Sequence, residues 1–445
     1  MKLSRFLCYS VTLVTLLLSC NSSQKQDENV ASRTQEVANN MYEFVIEPRF
    51  DIAYPFYESD EGLAEIVIGG KSGYIDKNGK IIIEPKFDCI YSFSEGMAEV
   101  KIGDKWGYID TAGNIVIKAY FDFTSEFCNG VALVETGEKW EYIDKFGTIV
   151  LGPYERIGFF SNELTAVRIN ERWGFIDKNE NIVIQPQFDN ADGFVEGLAA
   201  VKIDGKWGYI DKTGKVVIKP QFEIAHGFIE GLARVKVRKF WDEKWGCIDK
   251  SGRFVVEPKF KWIDPFSWYI EGLAEVEVRT IWGKRYGYID KTGKYVVEPK
   301  FDEICSFSEG LAPIKVGTKW GFIDKTGKVT IEPQFDYVHY FSEGLAAVRI
   351  GIKWGYIDKT GKIVIEPQFI IESDDYDEPV FDDEFYTFCF SEGLAAVKVG
   401  KKWGYINKAG VFVISPQFDD AYGFTEGLAA VKVGEKWGYI QYIGK

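Results

Sequence analysis

One phrase recurs eleven times along the chain and ends in Trp-Gly-Tyr-Ile-Asp-Lys-x-Gly, as at residues 207–214 and 354–361 and, with Thr111 in the Lys position, at residues 106–113. Counted from the Gly that follows the Trp, six of the ten intervals between copies are 34 residues long. A unit of this size cannot bury a core alone, so such a chain folds by stacking its copies. One unit therefore determines the fold. The function is expected to depend on the places where units differ.

Each copy contains three short apolar runs rich in Val, Ile, Trp and Tyr, which predicts three β-strands. In one copy these runs are residues 363–366, 394–399 and 403–406. The separator at residues 211–215, Asp-Lys-Thr-Gly-Lys, places Gly where a hairpin turn needs positive φ, and residues 433–436 form a second short turn. A Pro near the end of the first run cannot donate a ladder hydrogen bond, so we expect pairing to stop there.

The two ends of the repeat region leave two architectures open. The region begins with a strand pattern at residues 44–48 and ends with another at residues 437–440. Three-stranded antiparallel units of ~34 residues could stack in an open curved array, or the end strands could pair and close a propeller-like ring. Propellers typically have about four to eight blades, so eleven units favour the open array.

The phrase Lys-Trp-Gly-Tyr-Ile-Asp-Lys-x-Gly-Lys, preceded by Glu-Gly-Leu-Ala, resembles the WG repeat of bacterial proteins. The resemblance covers residues 42–444 and implies an all-β repeat without catalytic residues to carry over. Ser72 and Tyr286 depart from it in the Trp position, and Glu141 departs in the Gly position. We expect the repeat Trp residues to build the core; they are Trp106, Trp140, Trp173, Trp207, Trp245, Trp320, Trp354, Trp403 and Trp437.

The first twenty residues have the layout of a secretory signal, with Lys2 and Arg5 followed by an apolar run at residues 11–18. The run is short for an ordinary membrane-spanning helix, and the Leu-Ser-Cys that follows resembles a bacterial lipobox. We therefore expect a signal peptide at residues 1–19, a lipidated Cys20 with a polar tether to residue 41, and eleven repeats at residues 42–445. This predicts a lipoprotein of the bacterial cell envelope, at the outer membrane and facing the periplasm or the surface; an uncleaved anchor or a plain signal peptide is the alternative.

Charge and cysteine usage narrow the classes of partner. A formal net charge of −14 disfavours nucleic acid, which needs clustered Lys and Arg. The cysteines beyond residue 20 are scattered over different copies without a C-x-x-C motif, so we expect no disulfide framework, metal site or cofactor. Cys247 replaces the Tyr of the phrase and is expected to be buried filler. A protein or a glycan remains as the expected partner, bound through an extended repeat face and with the membrane contacted through the lipid.

The sixth and seventh copies carry the most distinctive departures. They contain the four Trp residues outside the repeat position, and their hairpins at residues 237–244 and 278–285 are each four residues longer than elsewhere. Equivalent loops of adjacent units lie side by side, so we predict a binding ledge of aromatic and basic side chains. The alternative is that these Trp residues fold back to pack on the array. The candidate ledge residues are Trp241, Trp282, Arg238, Lys239, Phe240, Arg279, Lys284 and Arg285.

Two other features carry weaker hypotheses. An insertion after Phe369 is rich in carboxylates between Glu372 and Glu384 but lacks the Asp-x-Asp-x-Asp-Gly spacing of a calcium loop, so a solvated acidic loop is favoured. The only histidines, His226 and His339, lie in different copies without a paired nucleophile. We expect no enzyme, but a lipid-anchored binding protein; the alternative is a scaffold subunit of an envelope assembly with no small ligand.

Overall fold

The computed structural model describes residues 41–57, 61–159, 164–239, 242–264, 273–281, 283–370 and 388–444. These residues form β-strands and turns and contain no helix. In the same ranges there is accordingly no helix long and apolar enough to cross a membrane.

The described strands form eleven antiparallel sheets, numbered here as blades 1 to 11 in chain order. Ten blades have four strands, and blade 10 has three within the described residues. Blade 1 contains β2 (Ile52–Ala53), β3 (Ala64–Ile68), β4 (Lys71–Ile75) and β5 (Ile81–Phe87); blade 2 contains β6 (Cys89–Ile90), β7 (Met97–Ile102), β8 (Lys105–Asp110) and β9 (Ile115–Phe121); blade 3 contains β10 (Phe123–Thr124), β11 (Val131–Thr136), β12 (Lys139–Asp144) and β13 (Ile149–Tyr154); blade 4 contains β14 (Arg156–Ile157), β15 (Thr165–Ile169), β16 (Arg172–Ile176) and β17 (Ile182–Phe188).

The remaining blades follow the same order. Blade 5 contains β18 (Asn190–Val195), β19 (Leu198–Ile203), β20 (Lys206–Ile210) and β21 (Val216–Phe222); blade 6 contains β22 (Ile224–Ala225), β23 (Ala233–Lys239), β24 (Asp242–Ile248) and β25 (Phe254–Phe260); blade 7 contains β26 (Trp262–Ile263), β27 (Ala274–Thr280), β28 (Gly283–Ile289) and β29 (Tyr295–Phe301); blade 8 contains β30 (Glu303–Ile304), β31 (Leu311–Val316), β32 (Lys319–Asp324) and β33 (Val329–Phe335); blade 9 contains β34 (Tyr337–Val338), β35 (Leu345–Ile350), β36 (Lys353–Asp358) and β37 (Ile363–Ile370); blade 10 contains β38 (Leu394–Val399), β39 (Lys402–Asn407) and β40 (Phe412–Phe418); blade 11 contains β41 (Asp420–Ala421), β42 (Leu428–Val433), β43 (Lys436–Tyr442) and β1 (Tyr42–Phe50).

The expected three-stranded unit is corrected to four strands. The additional strand has two residues in most blades and lies directly after the Phe-Asp pair, as in Cys89–Ile90, which pairs with β7. Two residues are too few to show an alternating pattern, so this strand was expected to be loop. The three predicted runs and their hairpins are confirmed; in the turn after β20, Asp211 accepts hydrogen bonds from the amides of Thr213 and Lys215, and Gly214 has a φ of 83°.

The chain closes into a ring, and the expected open array is wrong. Strand β1 from the N-terminal end of the repeat region pairs antiparallel with β43 from its C-terminal end, which completes blade 11. The contact between blades 11 and 1 also matches the contacts between other neighbours. Lys436 pairs with Asp51 at 2.5 Å, as Lys71 of blade 1 pairs with Asp88 at 2.5 Å. The repeat region thus forms an eleven-bladed propeller-like ring, in which pairing satisfies the edge that an open array would expose.

The expectation that pairing stops at the Pro is also wrong. In blade 9, Trp354 pairs with Phe369 beyond the Pro, and a register shift separates this pair from Tyr356 and Ile365. A bulge of this kind leaves an extra residue out of the ladder, so the missing N–H of Pro breaks no pair.

The Gly after the Trp makes that bulge possible. A Cβ at Gly355 would lie 2.5 Å from the carbonyl oxygen of Ile365. The backbone of the neighbouring strand therefore approaches too closely for a side chain at this position. In blade 3, where Glu141 occupies the Gly position, the Gly stands on the opposite strand instead: Gly152 has a φ of 113°, and a Cβ there would lie 2.9 Å from the carbonyl oxygen of Trp140.

The Glu of the Glu-Gly-Leu-Ala segment latches one blade to the next. Glu309 of blade 8 has a φ of 49°, a conformation that L-residues other than Asn and Asp seldom adopt. Its carboxylate accepts a hydrogen bond from the amide of Gly344 in blade 9 at 3.1 Å and pairs with Lys359 of blade 9 at 3.0 Å. The same arrangement recurs at Glu95, Glu196 and Glu343, so the backbone strain is balanced by a contact between blades.

Candidate functional site

The repeat Trp of blade 2 contacts both an aromatic ring and a cation. In blade 2, Trp106 stacks on Tyr91 with centroids 5.1 Å apart, and the Nζ of Lys101 is 5.7 Å from the ring of Trp106. Five repeat Trp residues are buried, and the other four are half-buried. The burial agrees with the predicted structural role of the phrase.

The Tyr of the phrase joins neighbouring blades. The hydroxyl of Tyr108 in blade 2 donates to the carbonyl oxygen of Ser125 in blade 3 at 2.8 Å. The hydroxyl of Tyr439 in blade 11 makes the equivalent bond to Tyr54 of blade 1 at 2.7 Å. Both hydroxyls are therefore engaged in hydrogen bonds between blades, and these two Tyr residues do not form a ligand-binding site.

One cavity is built by five successive blades. It has a volume of about 530 Å³, and we call it the five-blade cavity. Its walls are the segments between the first and second strands of blades 8, 9, 11 and 1, together with the segment directly before β38 of blade 10. These segments lie close together because the chain closes into a ring. The lining residues are Pro55, Tyr57, Ser306, Phe307, Ser308, Tyr340, Phe341, Ser342, Cys389, Phe390, Ser391, Tyr422, Gly423, Phe424 and Thr425.

The five-blade cavity is apolar and uncharged on its described lining. Its Ser hydroxyls form a ladder between blades: Ser308 donates to the carbonyl oxygen of Phe341 at 2.8 Å, and Ser342 donates to that of Phe390 at 2.7 Å. Burial raises the pKa of Cys389 to about 11, so this thiol stays protonated and is not a nucleophile at neutral pH. The cavity can therefore take apolar groups.

The two histidines lie apart, in blades 6 and 9. His339 packs among Tyr337, Trp354 and Phe388, with centroids 5.1 Å from Trp354 and 6.0 Å from Phe388. Burial lowers the pKa of His339 to about 4, so it is neutral at pH 7. This supports an aromatic packing role for His339.

The family of the chain follows from its repeats. The WG containing repeat matches most of the sequence, at residues 38–71, 73–106, 106–140, 142–173, 173–207, 207–241, 245–279, 286–320, 320–353, 354–369, 378–403 and 403–437. The chain belongs to the WG repeat family. The twelve matched segments correspond to eleven blades because residues 354–369 and 378–403 flank the insertion after Phe369.

No curated protein sequence matches this WG repeat protein. Solved structures with some similarity include a eukaryotic initiation factor, 11% identical over 79% of this chain and 99% of that chain, with a TM-score of 0.37. PorZ, a surface component of the type-IX secretion system of Porphyromonas gingivalis, is 10% identical over 88% of this chain and 63% of its own, with a TM-score of 0.26. The extracellular domain of a hybrid two-component system of Bacteroides thetaiotaomicron is 9% identical over 88% and 68%, with a TM-score of 0.23. At such scores these similarities carry no functional argument.

The predicted ledge of the WG repeat protein is described only in part. Its two long hairpins are present in adjacent blades, since Arg238 pairs with Glu243 and Arg279 pairs with Lys284 beyond the usual end of the hairpin. Three candidates, Phe240, Trp241 and Trp282, lie outside the described residues, as does the side chain of Lys239.

The described cations of the ledge are mostly neutralised by ion pairs. Arg238 binds Glu243 at 2.9 Å, Lys284 binds Glu277 at 3.1 Å, and Arg285 binds Asp302 at 2.7 Å. The hydrogen bond to Glu243 raises the pKa of Arg238. The described ledge residues therefore do not form a strongly basic patch. The ledge as a binding surface stays a prediction.

Two further sequence predictions concern the acidic segment and Cys247. The acidic segment from Glu372 to Glu384 lies outside the described residues, and the described residues contain no cluster able to hold a metal ion. Cys247 is buried, as expected, and burial raises its pKa to about 12. Sequence reasoning missed the five-blade cavity, because its walls come from five copies that meet only in a closed ring.

Proposed function

We propose that this WG repeat protein is a lipid-anchored, non-catalytic binding protein of the bacterial cell envelope. We further propose that its partner is a polypeptide segment with aromatic or aliphatic side chains, bound in the five-blade cavity. The observation that carries this proposal is the uncharged, aromatic lining of a cavity of about 530 Å³, a volume within the usual range of binding pockets.

The lining favours a protein segment over a glycan. Interfaces between proteins are enriched in Tyr and Phe at their centres, whereas glycan recognition requires several hydrogen bonds to sugar hydroxyls. The protons of Ser308, Ser342 and Ser391 are already donated to carbonyl oxygens of the next blade. These three hydroxyl protons are thus unavailable to a ligand, and the aromatic surface of the lining suits apolar side chains.

A substitution at Ser306 tests the cavity directly. Ser306 occupies the position that Tyr340 holds in the next blade, so S306Y adds a phenol to the wall at a place where the ring already accepts one. Ser92 holds the same position in blade 2, outside the cavity, which makes S92Y the matched control. Random dodecapeptides selected on the full chain should be enriched in aromatic and aliphatic residues, lose binding to S306Y and keep binding to S92Y.

Other outcomes would reject the proposal for the cavity. Equal binding of the selected peptides to both variants would place the binding face elsewhere. Binding of the full chain to glycans on an array, if S306Y abolished it, would replace the polypeptide with a sugar as the partner. An absence of any selected ligand would favour the scaffold alternative.

The anchor has its own test. The layout of residues 1–20 supports lipidation at Cys20. Wild-type protein expressed in its host should partition into detergent, and C20A should move to the aqueous phase; equal partitioning would contradict the anchor. Protease digestion of intact cells then separates a surface-facing from a periplasm-facing ring.

A further inference from the structure

A second cavity lies between blades 5 and 6, away from the five-blade cavity. Its volume is about 390 Å³. Its apolar walls include Val195 of blade 5 and Phe228 and Leu232 of blade 6. His226, Arg234 and Cys247 of blade 6 also line it. We call it the Arg234 pocket.

Three departures from the repeat coincide in this pocket. Cys247 stands where blade 5 has Tyr209 and blade 7 has Tyr288, so a phenol ring is absent from the core at this place. Arg234 stands where blade 5 has Ala200. The pocket thus combines the loss of a large ring with the gain of a cation.

Backbone pairing adds His226 to these two positions. Its amide donates to the carbonyl oxygen of Arg234 at 3.0 Å, which fixes the residue beside β23. The equivalent bond in blade 2 joins Tyr91 to Glu99 at 3.0 Å, so the same frame carries different side chains. His226 stacks on Trp245 with centroids 5.5 Å apart.

The guanidinium of Arg234 is held by rings. Its Cζ lies 5.5 Å from the centroid of Trp245 and 5.1 Å from that of Trp262. One N–H group donates to the carbonyl oxygen of Ile263, and an arginine has five such donors. In the described part of the chain no carboxylate lies within 4 Å of the guanidinium, in contrast to Arg238 on the same strand.

The charge of Arg234 is therefore incompletely balanced. Burial lowers its pKa, an effect that the charge of Asp264 opposes only in part. Burial and the neighbouring Arg234 also lower the pKa of His226, so His226 is neutral at pH 7 and leaves the guanidinium as the cation of the pocket. A half-buried cation of this kind is stabilised by an anion that brings its own hydrogen-bond acceptors.

We propose that the Arg234 pocket binds a small monocarboxylate with an apolar or aromatic body. The two carboxylate oxygens match the fork of one guanidinium, and a single negative charge balances a single positive one. The body of the ligand occupies the cavity itself, against Val195, Phe228 and Leu232. A phosphate dianion would bring a second charge that no other described cation of the lining balances.

Calorimetric titration of the full chain with phenylacetate and with the uncharged phenylacetamide tests the charge. We expect phenylacetate to bind at least tenfold more tightly, which corresponds to about 1.4 kcal/mol. R234A should abolish this preference, and R234K should weaken it because an ammonium lacks the planar fork. C247Y, which restores the residue of the neighbouring blades, should prevent binding of both compounds.

Control measurements separate a loss of ligand binding from a loss of folding. Ala occupies the position of Arg234 in blades 5 and 9, so R234A should leave the melting temperature nearly unchanged. K236A removes another cation over Trp245, at 5.8 Å, and should leave the affinity unchanged because Lys236 pairs with Glu243.

Three results would overturn the assignment. They are an absence of phenylacetate binding at millimolar concentrations, equal affinity for the amide, and full affinity in R234A. Preferential binding of inorganic phosphate would replace the carboxylate with another anion. The S306Y variant of the five-blade cavity should bind phenylacetate normally, because the two cavities lie on different blades.

Discussion

Blades 2 and 6 share one frame but surround their Trp with different chemistry. Blade 2 places Tyr91 against Trp106 and uses Tyr108 to reach the next blade. Blade 6 places His226 against Trp245, and the position of Tyr108 is held by Cys247. The Trp, the Gly and the register of the pairs around them are the same in both. Changes to the frame should therefore cost stability, and changes to the variable positions should alter local chemistry.

The largest expected effect on stability comes from adding a Cβ at the Gly that follows the Trp, where the backbone of the neighbouring strand approaches closely. G355A should destabilise the protein by about 3 kcal/mol, because the new methyl group would lie 2.5 Å from the carbonyl oxygen of Ile365. Chemical denaturation measures this. G193A is the control, since the described structure has no atom within 4 Å of a Cβ at Gly193; equal losses in both variants would show that the close approach is not required.

The next effect concerns the latch between blades. E309A should cost about 1 to 2 kcal/mol, because it removes the acceptor of the Gly344 amide and the partner of Lys359. A double-mutant cycle with K359A separates the two parts. A coupling energy of zero between Glu309 and Lys359 would assign the whole effect to the amide.

A variable position of blade 7 gives a pH-dependent effect. Burial raises the pKa of Glu275 to about 7, and the nearby Asp264 and Glu277 add to the shift. The folded protein therefore keeps a proton that the unfolded chain releases between about pH 4.5 and 7, so this group's contribution to stability falls as the pH rises through that window. E275Q should remove roughly 2 kcal/mol of this pH dependence. Thermal unfolding between pH 5 and 8 measures it, and an unchanged slope in E275Q would contradict the assignment.

The smallest effect on stability is expected at the predicted ledge. Replacing Trp241 and Trp282 together with Ala should leave the melting temperature unchanged and reduce capture of a partner if these rings form a recognition surface. A clear drop in the melting temperature would instead favour packing of the two rings on their own blades.

The sequence predicted the parts of the fold that repeat within one copy. The apolar runs, the turns such as residues 211–215 and the structural role of the Gly could be read because each copy restates them. The two-residue strands could not, since they carry no periodicity. The bulge was missed because the effect of Pro was considered without its Gly partner on the opposite strand.

Ring closure also left a signal that the strand pattern alone did not reveal. Lys71 and Lys105 each pair with an Asp seventeen residues later, at Asp88 and Asp122. Asp51 has no cation seventeen residues before it, since position 34 of the sequence is Thr. In the ring, Asp51 pairs instead with Lys436, from the other end of the repeat region.

The Arg234 pocket was missed for a different reason. His226 and Cys247 were each noticed as departures, but their convergence on Arg234 depends on the pairing of β22 with β23 and of β23 with β24. That pairing brings together residues about ten positions apart in the sequence. The role of a residue that departs from the repeat can be inferred only when its neighbours across the sheet are known.

The closed ring is the claim on which the five-blade cavity depends, because blades 11 and 1 meet only there. Glu43 and Gln441 face each other across β1 and β43, and Cα atoms of such antiparallel partners lie about 4.5 to 5.5 Å apart, within reach of a disulfide. The most direct test is mild oxidation of the double variant E43C/Q441C, followed by mass spectrometry of the linked peptides. The ring predicts an efficient intramolecular disulfide between the two introduced thiols; its absence, while single-cysteine controls remain folded and reactive, would contradict the closed ring.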